Sequence, residues 1–365
     1  MGQVHSNMNY LTWLSKGASL YFSQLDRSRR WLARQLAEFG LGAVETPFEI
    51  IFSEPGIGLR SYRSDWESGP VMLIVPAPIK SASIWDLSPS VSVVRHCLRA
   101  GLRVYLIEWE PPGEAQQDSG LSEYADRLIL DCLEQISLET GQSQIFLAGH
   151  SLGGTLAAIF CALHPERVKG LILLGSPLGF GSSSGILASF VAASPKTSFL
   201  TAALGNVPGS FLSIVSGTIA PVPLGFDRWL DWILSLRDRH ARLTHLRVVH
   251  WTLEEMPMAQ HLFEEVVEKL YREDRFLSGT LRVGGKLALP EQVTASVLSV
   301  VDARCRLVPP QSVVPFHQAI RHPDSQLLWY EGDTGVALQH VGMLVGRQAH
   351  LHIWPQAIRW IQTHS

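Results

Sequence analysis

Cysteine is scarce in this 365-residue chain, and the four present, Cys97, Cys132, Cys161 and Cys305, show no C-x-x-C spacing. That argues against a disulfide framework or a cysteine-rich zinc site. The expectation is reduced, mostly buried thiols in a cytoplasmic protein with no bound metal. Charge of one sign is lacking as well. Thirty Lys and Arg stand against 33 Asp and Glu, a net charge of -3, so nothing points to nucleic acid as a partner. Long apolar runs are missing too. The greasiest stretch, Leu171 to Pro221, is broken by Pro177, Pro195 and Pro208, so no transmembrane segment is expected. The start, Met1-Gly2-Gln3-Val4-His5-Ser6, has no apolar core of a secretory signal. It fits the M-G-x-x-x-S myristoylation pattern, which is short and matters only in a eukaryote. Internal repeats and low-complexity tracts are absent.

What remains is 46% hydrophobic and 17% charged, enough for one large α/β domain with an insertion. Residues 9 to 43 read as a helix with an apolar stripe of Leu25, Trp31, Leu32, Leu36 and Phe39, and with Arg27, Arg30 and Arg34 largely opposite. The expectation is a helix packed on the main domain with a solvated basic face. The alternative is a surface for a lipid-like granule or a partner subunit. Thr46 to Phe52 and Gly58 to Tyr62 read as a hairpin. Apolar strands at Val71–Val75, Arg103–Ile107, Gln144–Ala148 and Val168–Leu174 then alternate with helices. Strands apolar on both faces, alternating with helices, predict a parallel sheet covered on two sides. The rhythm fails after Pro177 and resumes at Ala295–Val301 and Gln326–Tyr330. An insertion there would lie over the C-terminal ends of the strands, as a cap. The expected organisation is an N-terminal helical segment over 1–45, an α/β core over 46–177 and 286–365, and a cap inserted over 178–285.

The chemistry concentrates at Gly149-His150-Ser151-Leu152-Gly153-Gly154. G-x-S-x-G alone would occur by chance roughly 0.2 times in a chain this long. Here an apolar strand precedes it and a helix-forming stretch follows, the context of a nucleophile elbow. A serine hydroxyl needs a base to take its proton, and the base needs a carboxylate to hold its tautomer. In this fold the order is Ser, acid, His, with the last two after late strands. Asp302 directly follows the strand ending at Val301, and His340 lies after the strand ending at Tyr330. Asp333 competes as the acid, and His350 and His352 compete as the base. His150 adjoins the nucleophile and reads as support for the elbow. For the oxyanion, the backbone N–H of Leu152 is one expected donor. The other should come from the loop after Val75, where Pro76 and Pro78 have no N–H. That leaves Ala77 or Ile79, with Ile79 favoured.

Several separated strings then resemble one family. Thr46-Pro47-Phe48-Glu49, Ile84-Trp85-Asp86-Leu87, Tyr105-Leu106-Ile107-Glu108-Trp109, Met256-Pro257-Met258, Leu270-Tyr271, Val308-Pro309-Pro310 and His340-Val341-Gly342 are similar to strings of the polyhydroxyalkanoate (PHA) synthases, in particular the shorter class III type. The likeness spans roughly nine-tenths of the chain. It implies an α/β-hydrolase fold and transfer of a 3-hydroxyacyl group from coenzyme A, the acyl carrier, with no other cofactor. It implies Ser151 as nucleophile, His340 as base and Asp302 as its acidic partner. It also implies hydroxyacyl-coenzyme A or polyester as substrate, a location in the cytoplasm or at polyester granules, and a second synthase-type subunit or a homodimer. Two features depart from the family. Serine stands where the synthases have cysteine, and Lys80-Ser81-Ala82-Ser83 replaces their Asn-Lys or Asn-Arg pair and following aromatics. A serine forms an oxoester, so loading from a thioester is downhill and the intermediate is less reactive. Serine is also the ordinary hydrolase nucleophile, with water as acceptor. General lipase or esterase activity, or a non-catalytic granule-associated role, are the alternative functions.

Overall fold

The computed structural model describes residues 2–63, 68–181, 184–320 and 324–365, with residues 2–16 described by their backbone path only. Its centre is a sheet of eight strands: β1 (Phe48–Glu54), β2 (Ile57–Tyr62), β3 (Val71–Val75), β4 (Arg103–Trp109), β5 (Ile145–His150), β6 (Val168–Leu174), β7 (Ser296–Asp302) and β8 (Ser325–Tyr330). In space they run β1-β2-β4-β3-β5-β6-β7-β8. β2 is antiparallel to both its neighbours, and the pairs from β4 through β8 are parallel. The chain builds outward in one direction from β3 to β4 and in the other from β5 to β8. The crevice at the C-terminal ends of β3 and β5 is therefore the switch point, where such sheets place their ligands.

The apolar strands are buried on both faces because successive residues point to opposite sides. Leu73, Val75, Leu147, Leu171 and Leu173 pack with α3 (Leu128–Thr140) and α4 (Leu152–Leu163). Met72, Ile74, Phe146, Ile172 and Leu174 pack on the other side. There they meet α2 (Val93–Arg99), α12 (Gln339–Val345) and α13 (Trp354–Thr363). Burying one such side chain contributes about 1.5–3 kcal/mol, which is why continuous apolar strands fix this layer order. All four cysteines are free and buried.

Between β6 and β7 the chain forms α5 (Ile186–Ala193), α6 (Ser198–Leu204), α7 (Gly209–Ile219), α8 (Asp227–Ser235), α9 (Arg239–Leu253) and α10 (Gln260–Glu265). Packing divides this stretch earlier than residue 285. From Met258 onward Ala259, Leu262, Val266, Leu270 and Phe276 belong to the same cluster as the sheet and α4, as do Leu281 and Val283. α11 (Val314–Ile320) adds Phe316 to that cluster.

The N-terminal helix, α1 (Gly2–Glu38), departs from expectation in what it presents and where. Leu25 and Leu36 are half-buried, whereas Trp31, Leu32 and Phe39 are exposed. Its inward face carries Phe22, Asp26, Arg29 and Ala33, and it lies on α6, α7 and α9 as well as the loops near them. Phe22 meets Phe211 edge-on, Asp26 Oδ1 accepts from the Ser210 N–H at 2.8 Å, and Arg29 pairs with Glu255 at 2.8 Å. Polar anchors select this face, so apolar periodicity could not find it. Among the described residues no single helix is long and apolar enough to cross a membrane.

Candidate active site

Ser151 sits between the end of β5 and the start of α4 with φ 54° and ψ -132°. A non-glycine residue is strained in that region and stays only where its surroundings force it. The forcing is visible. The Ser151 N–H donates to Leu174 O at 3.0 Å, tying the elbow to β6, and Thr155 Oγ1 donates to Pro177 O at 2.6 Å. A Cβ on Gly153 would lie 2.2 Å from Val75 O, and one on Gly149 2.5 Å from the Gly154 Cα. The glycines are thus needed for α4 to start hard against the end of β3. As the first residue of α4, Leu152 has an N–H with no intrahelical acceptor, at the positive end of the helix dipole.

His340 lies in the first turn of the short helix α12 rather than in a free turn. Its backbone carbonyl accepts from His150 Nε2 at 2.8 Å, and the two rings sit 4.6 Å apart. His150 therefore props His340. Burial lowers its pKa to about 4, so it does so as a neutral ring. His340 itself is held well below the usual histidine value, first by burial and then by His150. A neutral imidazole is the form able to take a proton. Gly175, at φ 49°, leaves room for that ring, since a Cβ there would stand 3.2 Å from its Cε1.

Ser151 and His340 line one cavity of about 580 Å³, together with Ala77 and Ile79 from the loop after β3. The Ile79 carbonyl accepts from the Met256 N–H at 3.0 Å, which anchors that loop. Among the described residues no hydrogen bond joins Ser151 to His340. Asp302, the last residue of β7, is buried, and its Oδ1 accepts from the Arg304 N–H at 2.8 Å. It lines an adjoining cavity of about 650 Å³, which His340 also lines. No Asp302–His340 hydrogen bond or ion pair occurs among the described residues. The group at His340 Nδ1 is the thiol of Cys305, at 3.7 Å, its pKa raised by burial. Sequence reasoning treated Cys305 only as a buried thiol. Its place three residues after the acid was the available signal.

The competitors have other roles. Asp333 accepts from Tyr330 Oη at 2.9 Å and from the Gln348 and Ala349 N–H groups, closing the loop after β8. His350 is buried, with Nε2 2.8 Å from Leu344 O, and burial lowers its pKa to about 3. His352 is exposed. A residue missed entirely is Asp231 of α8. It accepts from the Gly335 and Ala337 N–H groups at 2.7 and 2.8 Å and pairs with His245 at 2.7 Å. It thereby ties the helical stretch to the loop that leads into His340. Among the described residues no group of three or more His, Cys, Asp or Glu gathers as a metal site.

Comparison with known proteins agrees with this fold. Residues 70–224 match the family model for the alpha/beta hydrolase fold. The poly(3-hydroxyalkanoate) polymerase subunit PhaC of Haloferax mediterranei is 29% identical over 338 residues, 91% of this chain and 67% of that one. Its counterpart from Allochromatium vinosum is 25% identical over 322 residues, 87% of this chain and 88% of that one. Among solved structures, the monoacylglycerol lipase of Paleococcus ferrophilus superposes with a TM-score of 0.54 at 18% identity, covering 86% of this chain and all of its own. The last likeness shows the fold alone. The chain thus has the α/β-hydrolase fold, with an elbow at the switch point of its sheet, and is similar over nearly its whole length to the PHA polymerase subunits PhaC.

Proposed function

We propose that the chain is a serine acyltransferase or hydrolase of the PHA synthase type, acting on 3-hydroxyacyl thioesters or polyesters through an acyl-enzyme. The observation that carries this reading is the strained Ser151 opening on the same cavity as a neutral, buried His340. Ser151 Oγ attacks the acyl carbonyl and its proton passes to His340. The C–S or C–O bond breaks, and the leaving thiol or alcohol takes that proton back. Water or an acceptor hydroxyl then repeats the steps in reverse and frees the acid or extends a chain. The N–H groups of Leu152 and Ile79 are the donors proposed for the oxyanion, each worth about 10²–10³ in kcat.

Asp302 is proposed as the acid supporting His340. It lines the same cavity as His340, and the Cys305 thiol stands 3.7 Å from Nδ1. Catalytic hydrogen bonds are often long before substrate binds, and Asp302 is proposed to approach Nδ1 in the substrate complex. Coenzyme A is the proposed acyl carrier, and a second subunit or a homodimer the proposed assembly.

The test supplies 3-hydroxybutyryl-coenzyme A and, separately, amorphous polyester, and follows thiol, free acid and polymer. The wild-type chain should release thiol, and Ser151→Ala should lose about 10⁴-fold or more of kcat. No release of acid or polymer by the wild type, or a Ser151→Ala variant as active as the wild type, would overturn the proposal. Activity on simple p-nitrophenyl esters alone would favour a general esterase. Absence of Ser151 labelling by a fluorophosphonate would favour a non-catalytic role.

A further inference from the structure

The cavity that holds Ser151 is mostly apolar, with Ile84, Leu187, Leu224, Leu253 and Val308 among its lining residues. It nevertheless contains three basic side chains, Arg29, Lys80 and Arg228, against a single carboxylate, Glu255. They come from three separate places: α1, the loop after β3 that carries Ile79, and α8. All three donate to one neutral residue, Thr252. Arg29 Nη2 reaches its carbonyl at 2.7 Å and Lys80 Nζ at 3.4 Å, while Arg228 Nη2 reaches its Oγ1 at 3.2 Å.

Glu255 is already shared, since Arg29 and Lys80 both pair with it. Arg228 makes no ion pair among the described residues. The Arg29 and Lys80 side chains are each only 17% exposed, so water screens the cluster weakly, and like charges this close repel. Burial lowers the pKa of Lys80 and of Arg228, and the nearness of Arg29 lowers both further. A structural ion-pair network would match its charges. This one leaves an excess of positive charge inside the cavity of the nucleophile.

We propose that Arg29, Lys80 and Arg228 form an anion subsite of the Ser151 cavity, so that the substrate is an acyl chain attached to, or ending in, a phosphate or carboxylate. The inference rests on Ser151 being the acyl-accepting group, and it adds the charge of what is bound. A phosphate would belong to the carrier of the acyl group. A carboxylate would belong to the hydroxy acid. Arg228 is the informative member because its guanidinium lines the cavity and pairs with no carboxylate among the described residues, and a guanidinium is a strong donor to carboxylate or phosphate.

The experiment measures binding by calorimetry to Ser151→Ala, which removes turnover. Four ligands form two matched pairs: coenzyme A with phosphate-free pantetheine, and 3-hydroxybutyrate with its methyl ester. At least one anion should bind more tightly than its neutral partner. Arg228→Gln in the same background should weaken that anion about ten- to hundredfold and leave the neutral ligand unchanged. Arg228→Lys should restore part of the affinity, which separates a charge effect from misfolding. A response confined to coenzyme A assigns the phosphate source, and one confined to 3-hydroxybutyrate assigns the carboxylate. Equal binding of anions and neutral partners, or an Arg228→Gln variant with unchanged preference, overturns the subsite. Selective anion binding without any turnover of 3-hydroxybutyryl-coenzyme A by the wild type would leave the subsite standing and overturn the acyl-transfer reading instead.

Discussion

In the sheet, β3 and β5 through β7 are buried along nearly their whole length, and their side chains feed two apolar cores. In the helices α5 to α9 the arrangement is turned round. The buried positions there include Thr201, Ser210, Asp231, Ser235, Thr244 and His245, while Phe190, Phe199, Trp229, Ile233 and Leu234 stand exposed. The sheet is held by area removed from water. The helical stretch relies in good part on hydrogen bonds, those of Asp231 to the loop after β8 and that of Asp26, which seats α1 on α7. Function sits where the two meet. Ser151 and His340 come from the first region, and Arg228 and the tether to the loop before His340 come from the second.

Acid should loosen the sheet region most. His150 and His350 have folded-state pKa values of about 4 and about 3, against an ordinary value of 6.5. Below pH 6.5 the unfolded chain binds protons that these buried rings refuse. Their contribution is therefore complete above pH 6.5 and is lost as the pH falls toward 4. At pH 5 each removes about 2 kcal/mol. Urea midpoints at pH 7.5 and 5 should show the loss, and His150→Gln should reduce it. A midpoint unchanged between the two would refute the burial argument.

The comparison also explains what the sequence discloses. The order of strands, the elbow, and the placement of Asp302 and His340 after β7 and β8 follow from apolar runs and glycine spacing, which are local signals. The seat of α1 is not local. Trp31 and Phe39 suggest an inward stripe, yet Asp26 and Arg29 choose the face by partners more than 180 residues away. Gly175 beside the His340 ring and Asp231 behind its loop are illegible for the same reason. Each acts through a contact that only the folded chain creates.

A change at the elbow tests the sheet side further. Gly153→Ala places a Cβ 2.2 Å from Val75 O and 2.5 Å from the Pro76 carbonyl carbon, both backbone atoms that cannot rotate away. Overpacking of this kind destabilises by about 1–3 kcal/mol, and shifting α4 also moves the Leu152 N–H. A lower melting temperature together with a fall in kcat is the expected result. A variant with wild-type kcat would show that the close approach is not needed.

On the helical side, Asp231→Asn keeps the shape but gives up the charge that holds His245 and the Gly335 and Ala337 N–H groups. Weakening hydrogen bonds to a buried charged group costs about 1–3 kcal/mol. The expected signature is a modest loss of stability, with faster amide exchange at Gly335 and Ala337 and a lower kcat at unchanged fluorophosphonate accessibility of Ser151. Loss of stability with normal exchange in that loop would mean that Asp231 serves α8 alone.

The smallest effect belongs to the exposed apolar face. Trp229 is 58% exposed on α8, two residues before the buried Asp231 and so on nearly the opposite side of the helix. If polar anchors hold this helix, Trp229→Ser should change stability by no more than about 0.5 kcal/mol, whereas the same chemical change at a buried tryptophan such as Trp85 would create a cavity costing about 3–5 kcal/mol. Denaturation of the two variants side by side, at protein concentrations low enough to suppress association, measures the contrast. A large loss at Trp229 would mean that its ring is covered in solution, and that the helical stretch, like the sheet, depends on buried apolar area.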